Sequence, residues 1–495
     1  GDHRDLHLSL RRQRQMCIRD RYLGLIKPDA RTVSHHYVMK YPKQRDDVSY
    51  GVPVDWKPDA DSATSVIGNT VFFLKPTPGA PNGSVLNGTV AKLAFSQPHG
   101  LYDEPFDLTI STETPGVTLR YTTDGSVPTI DSGTVLEGGL LKMEKTTVLR
   151  VAGFKPGFKP TKVVTRTYLF PKDIVRQSPD GLPPNGFPYE WGFNYVDYGM
   201  DQRVVNDKRY KDRIFDGLRS LSSYSLVMEM DDLFDEESGI FANAKNDGRE
   251  WERSCSLEMI SPDGESGFQE NCGVRIRGGF SRMSPNAKHA FRFFFRSEYG
   301  PAKLKYPVFG REAAQEFDNI DLRTFSNYSW SLSDDPRCTF MRDQFNRDMQ
   351  FSLGQSTARG HYCHLYINGH YWGLFNVVER PEASFGATYF KGKQDDFDVI
   401  KIGRGKGKGE GNTQYGLFAT DGSLDAWERF WKICKAGLES DAAYQRILGN
   451  NPDGTRNPDY EVFLDVDNLI DYMLVIFYGG NLDAPITAFL SLIHI

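Results

Sequence analysis

Residues 273–295 read GVRIRGGFSRMSPNAKHAFRFFF, and their types and spacing suit the holding of a phosphate. Gly278 and Gly279 let backbone amides come close to an anion, and Lys288 supplies a compact positive charge where a second strand begins. Alternation at Val274 and Ile276, then at Phe291, Phe293 and Phe295, has the period of half-buried strands. Ser281, Ser284, Pro285 and Asn286 carry turn chemistry between them. Arg277, Ser281 and Arg282 are then candidates to line the turn, Arg282 through its planar fork. Taken alone, the segment reads equally as an ordinary hairpin with a solvated lysine, because short glycine motifs match by chance.

Elements further along must position any partner of that cradle. An apolar stripe at Phe340, Met341, Phe345, Met349 and Phe351 predicts a helix over residues 339–352, with Asp343 and Asp348 on it. HLYINGHYWGLFNVVER predicts a hairpin turned at Asn368-Gly369. It leads to Glu379 and Glu382, of which Glu379 serves equally as a salt-bridge partner. DVIK at 398–401 predicts a strand, and residues 424–437 and 466–478 predict helices. Asp483, in NLDAP, sits where a turn aspartate before Pro485 is expected on spacing alone. GRGKGKGEGN at 403–412 lacks the GxxxxGK[ST] spacing and reads as a flexible connection. His361, His364 and His370 flank a strand and hairpin with no carboxylate at ligand spacing, so structural roles are expected.

Both ends of the chain call for separate treatment. MCIRDR at 16–21 and LSLIHI at 490–495 are encoded by the two strands of one duplex, which resembles a transposon end used in sequencing libraries. Residues 1–21 and 490–495 are therefore expected to be adapter-derived and are set aside. The first of these holds six Arg and three Asp, so the formal charge of the remainder moves from −6 to −9. That mildly acidic balance gives no support to nucleic-acid or anionic-membrane binding. No apolar run approaches membrane-spanning length. Cys255, Cys272, Cys338, Cys363 and Cys434 remain, without a CxxC pair. Spacing alone does not decide whether Cys255 and Cys272 bond.

Residues 22–83 are rich in β-formers and end in NTVFFLKPTPGAPNG; with LGLIKPD and SYGV they resemble the C-terminal half of a lamin-tail domain. A proline-rich linker would instead leave Val71, Phe72, Phe73 and Leu74 exposed without purpose. Residues 88–171 carry short strands at regular spacing, FDLTIS, VTLRYTT, TTVLRVAGF and VVTRTYLF. YTTDGSVPT and RVAGFKPGFKPT give this segment its resemblance to the chitobiase/β-hexosaminidase C-terminal domain, which implies an accessory role. No catalytic constellation is found in it.

In residues 172–489 the order of GVRIRGGFSR with Lys288, MRDQF, NVVERPEASF, DVIK and YGGNLDAP resembles the spore-coat protein H (CotH) family of atypical kinases. The fold class this implies is two immunoglobulin-like β-sandwich modules, the first incomplete, then an α+β protein-kinase-like domain. The implied activity is transfer of the ATP γ-phosphoryl group to protein serine or threonine hydroxyls with Mg2+ or Mn2+, on an exported or surface protein. By the resemblance Asp483 is the catalytic aspartate, Lys288 pairs the phosphates, and residues 379–382 form a hinge toward adenine. The family's metal-binding aspartate lies downstream of the catalytic loop. No residue here is assigned to it, and the chain as given is expected to be inactive. The rival expectation is a non-catalytic pseudokinase or scaffold held by its sandwiches to a partner protein or a surface or coat polymer. Glycoside hydrolysis finds no paired carboxylates in a recognisable context.

Overall fold

The computed structural model describes residues 24–31, 33–37, 48–55, 65–67, 70–191, 194–264, 267–284, 286–325, 339–404 and 415–481. The two expected adapter segments, Pro285, Cys338, the glycine-lysine run at 405–412 and Asp483 lie outside these residues.

The N-terminal segment is β-rich, as its composition predicts. Strands Gly24–Ile26, Val33–Tyr37 and Ser65–Ile67 form one small sheet, and Ser49–Gly51 pairs with Val71–Phe73 in another. Phe73 is buried and Tyr50 packs on Phe72 with ring centroids 5.0 Å apart. The next segment builds two sheets over one core. Alternation in Phe106–Thr112 turns Leu108 and Ile110 inward, where they meet Leu119, Met143, Leu149, Val151 and Tyr168 from the other strands.

The third segment is a closed barrel of seven strands: β1 Ser222–Val227, β2 Arg253–Ile260, β3 Gly267–Arg277, β4 Ala290–Phe294, β5 Asn319–Arg323, β6 Gly360–Ile367 and β7 His370–Val378. Their order is β1-β2-β3-β4-β5-β7-β6, and parallel pairing of β6 with β1 closes the ring. The predicted hairpins are both present. β3 pairs β4 antiparallel, with Val274 opposite Phe293. β6 and β7 are joined at Asn368-Gly369, where φ of 45° and 82° suit Asn and Gly. Period-two alternation fills the interior with Val274, Ile276, Phe291, Phe293, Ile320, Leu322, Phe375 and Val377. The intervening residues Arg277, Arg292, Asp321, Arg323 and Asn376 fall on the outer face.

Two structures cover that outer face. Over β1 and β2 lies the strand Val164–Leu169 of the second segment. Glu258 is fully buried there, accepting from the Thr167 amide at 3.1 Å and from the Thr167 hydroxyl, with His99 Nδ1 at 2.6 Å. Thr167 also meets Ser225 at 2.8 Å, and Leu169 packs with Ile174, Leu218, Ile260 and Tyr366. Over β5 and β7 lies the helix α1, Arg342–Ser352. Its predicted apolar stripe is not what docks: Met341, Phe345 and Phe351 are exposed, and the buried residues are Gln344 and Gln350. The sheet beneath presents Arg323 and Asn376, so the polar side of the helix is the complementary one. Beyond the barrel come β8 Val399–Arg404, β9 Tyr415–Asp421, α2 Asp425–Lys435, α3 Asp441–Ile447 and α4 Val466–Tyr478. Among the described residues no helix is long and apolar enough to cross a membrane.

Candidate functional site

Where α1 lies over β5 and β7, beside the outer face of β3 and β4, the alternation that buries the phenylalanines gathers charges. Arg292 on β4 grips Asp321 on β5 with both arms, Nε to Oδ1 at 2.6 Å and Nη2 to Oδ2 at 2.9 Å. Arg277 on β3 stands 3.1 Å from the same carboxylate. Burial alone would raise the pKa of Asp321, but Arg277 and Arg292 override it and hold the acid below its ordinary range. Burial lowers the Arg277 pKa to about 10 against the pull of Asp321. Lys401 on β8 faces the same group; its pKa is lowered by burial, with Glu382 opposing.

The helix adds a second carboxylate. Asp343 is paired by Arg323 of β5 and by Arg347 one turn along α1. Arg347 Nη2 also donates to Asn376 Oδ1 at 3.0 Å, Asn376 donates to Gln344 at 3.1 Å, and Gln344 to Asp348 at 2.7 Å. A third carboxylate, Glu382, is paired by Arg380 and accepts from Asn319 at 2.8 Å. Six cations therefore meet three carboxylates, while Asp348 accepts from Gln344 and Asp421 from Thr420. One buried guanidinium group retains unspent donors: the Arg347 Nη1 N–H groups make no hydrogen bond within the described residues, whereas Arg277 Nε already faces Asp321 Oδ2 at 3.1 Å. A buried donor left unpaired costs free energy, so an anion that reaches these N–H groups is favoured twice, by charge and by hydrogen bonding.

The residues singled out from the sequence are distributed as follows. Arg277 belongs to the cluster. Ser281 donates to the Arg277 carbonyl at 3.1 Å, and Arg282 donates to the carbonyls of Ile276 at 2.6 Å and Asn246 at 2.7 Å, so its guanidinium ties the turn down. Lys288 is exposed as a residue, yet its ammonium turns to the Trp372 carbonyl and not to Asp321 or Asp343. Close packing around that ammonium lowers its pKa to about 8. Gly373 makes room for it, because a Cβ there would stand 2.7 Å from Lys288 Nζ. Glu379 is buried, accepting from the Arg359 amide at 2.9 Å and from Tyr389 at 2.5 Å; burial raises its pKa. Asp483 lies outside the described residues.

Sequence reading missed Arg292, Asp321, Arg323, Arg347 and Lys401. Charges at every second position of otherwise apolar strands, FRF in β4 and IDLR in β5, were the available signal. Two of the three histidines have hydrogen-bond partners: His364 meets Tyr371 and the Gly217 carbonyl, and His370 the Tyr198 carbonyl at 3.1 Å, while His361 packs its ring on Phe309 at 5.7 Å and its buried Nε2 makes no hydrogen bond among the described residues. Among the described residues no group of three or more His, Cys, Asp or Glu is placed to hold a metal.

Comparison with known families gives two matches. The model described as CotH kinase protein matches residues 274–488, and that described as chitobiase/beta-hexosaminidase C-terminal domain matches residues 97–165. No curated protein matches the chain.

Proposed function

We propose that this chain, which carries a CotH kinase domain behind a chitobiase/hexosaminidase C-terminal-type domain, is a protein kinase that moves the ATP γ-phosphoryl group to a serine or threonine hydroxyl of a protein. The observation that carries the reading is the cluster of partly buried Arg277, Arg292, Arg323 and Lys401 around the buried Asp321, flanked by an ion pair from strand to helix. Phosphoryl transfer asks a protein for positioning and charge neutralisation, and kinases couple a strand cation to a helix carboxylate for that purpose. Here Arg323 and Asp343 fill those two roles, with α1 between β5 and β6 and residues 379–382 following β7. In this reading the third segment has a kinase-like small lobe, and the two segments before it are sandwich modules, the first part of a lamin-tail domain.

ATP would bring the phosphoryl group and the negative charge that the cationic cluster faces, and Mg2+ or Mn2+ would share in neutralising that charge. Arg347 holds the phosphates with its unspent Nη1 donors, and Arg277, seated on Asp321, adds positive charge beside it. Asp343 bridges Arg323 and Arg347 through one oxygen and holds them in register. Lys288 keeps the turn seated on β7. Asp483 orients the acceptor hydroxyl. No metal ligand is assigned among the described residues. The setting we propose is an exported or surface protein.

Two measurements test the proposal. ATP and tripolyphosphate raise the melting temperature of the chain, and Arg323→Met removes that shift. The product of the complete gene labels itself or a casein-like acceptor from γ-labelled ATP, and Asp483→Asn or Lys288→Ala abolishes the labelling. Binding that survives Arg323→Met refutes the assigned cluster. Binding without any transfer by the complete product supports the non-catalytic scaffold instead.

A further inference from the structure

Cys255 on β2 and Cys272 on β3 are directly opposed in the antiparallel ladder, and their sulfurs lie 3.6 Å apart inside the barrel. Opposed residues on antiparallel strands have Cα atoms about 4.5–5.5 Å apart, within the range a disulfide spans. Both side chains are buried, at 1% and 0% exposure. Cys363 is buried in the same core but faces Phe375 and Ser222 across its ladders, and Cys434 lies on α2. Cys255 and Cys272 are therefore the opposed cysteine pair among the described residues.

We infer that Cys255 and Cys272 form a cross-strand disulfide when the chain folds in an oxidising compartment. The oxidant is a disulfide, small-molecule or protein. One cysteine thiolate attacks it to give a mixed disulfide and release a first thiol. The other cysteine thiolate then displaces the second thiol and closes the Cys255–Cys272 bond, so that both electrons and both protons end on the released thiols. Timing follows from burial. In the closed barrel the Cys272 thiol is pushed well above its ordinary pKa by desolvation, which suppresses the attacking thiolate. The bond must form before the barrel closes, and a chain folded under reducing conditions keeps two inert thiols. The bond ties β2, which carries Glu258 against the second segment, to β3, which carries Arg277. This inference does not rest on the kinase reading.

The test uses the whole chain, unfolded under reducing conditions and refolded in mixed reduced glutathione and glutathione disulfide, with a parallel sample kept in dithiothreitol. Trypsin releases both cysteines in one peptide, because no Lys or Arg stands between Arg253 and Arg275. In the glutathione sample that peptide is expected two hydrogens lighter and refractory to iodoacetamide until reduced. In the dithiothreitol sample it takes two alkyl groups once denatured. Full alkylation after refolding in glutathione disulfide overturns the inference, as does a glutathione adduct on either cysteine in place of the internal bond. Should Cys255→Ser fold poorly, the mass of the unmodified chain's peptide still decides.

Discussion

Asp321→Asn isolates the central charge of the cluster. The side chain keeps its shape but loses its charge and turns one accepting oxygen into an NH2 donor facing a guanidinium, leaving Arg277 and Arg292 beside a neutral amide. The carboxylate sits 2.6–3.1 Å from three guanidinium nitrogens at 3% exposure. Two charges about 4 Å apart interact by about 4 kcal/mol at an effective dielectric of 20. Removing one member of a buried pair typically costs about 3–5 kcal/mol. The expected loss is therefore about 3 kcal/mol, read as a lowered urea midpoint with unchanged slope. The substitution also makes the cluster more cationic, so tripolyphosphate should raise the midpoint of the variant more than that of the parent. The pH dependence has a definite sign. A depressed carboxylate pKa contributes stability that is complete above the unfolded value of about 3.9 and is lost as pH falls through the lower folded value. Asp321→Asn should lack that acid limb. A variant within about 1 kcal/mol of the parent, with no added response to tripolyphosphate, would refute the view that Asp321 neutralises buried arginines.

Lys288 gives a slope of the same sign at higher pH. Its folded pKa of about 8 lies below its unfolded value, so stability should rise with pH from about 8 to 10, and Lys288→Met should flatten that rise; equal slopes in urea titrations across this window would contradict it. Gly373 combines φ of 127° with a Cβ position 2.7 Å from the Lys288 ammonium. Gly373→Ala should cost about 1–3 kcal/mol and make Lys288 titrate more nearly as a free lysine, measured by denaturation and by amine labelling against pH. Glu258→Ala strands the Thr167 amide and His99 Nδ1 at the seam between the second segment and the barrel, while the Thr167 hydroxyl keeps Ser225. About 1–3 kcal/mol should be lost for each stranded group, and calorimetry should show two unfolding transitions where the parent shows one.

Much of the scaffold was legible because it follows from period and turn chemistry. Asn368-Gly369 fixed the β6–β7 hairpin, the phenylalanines of β4 fixed its inward face, and the helix predicted at 466–478 is α4. The charged site was less legible. Arg292 comes from β4, Asp321 and Arg323 from β5 and Asn376 from β7, and only the ladder through those strands sets them side by side. The helix α1 was found within three residues of its start, but its orientation was misjudged. Apolar spacing predicts which side of a helix is greasy; it does not reveal that the surface waiting for it is polar.

The barrel also bears on where this molecule can be cut. The family match begins at residue 274, in the middle of β3, whereas β1 and β2 and the first half of β3 lie upstream of it. A clone started at that boundary would discard more than two staves of a closed ring and expose the backbone edges of its neighbours. A clone started at β1 would keep the ring but bare Glu258 and Ser225, which the preceding segment now shields. The smallest piece expected to behave as a soluble, folded reagent therefore begins ahead of the second segment, well outside the limits that similarity draws.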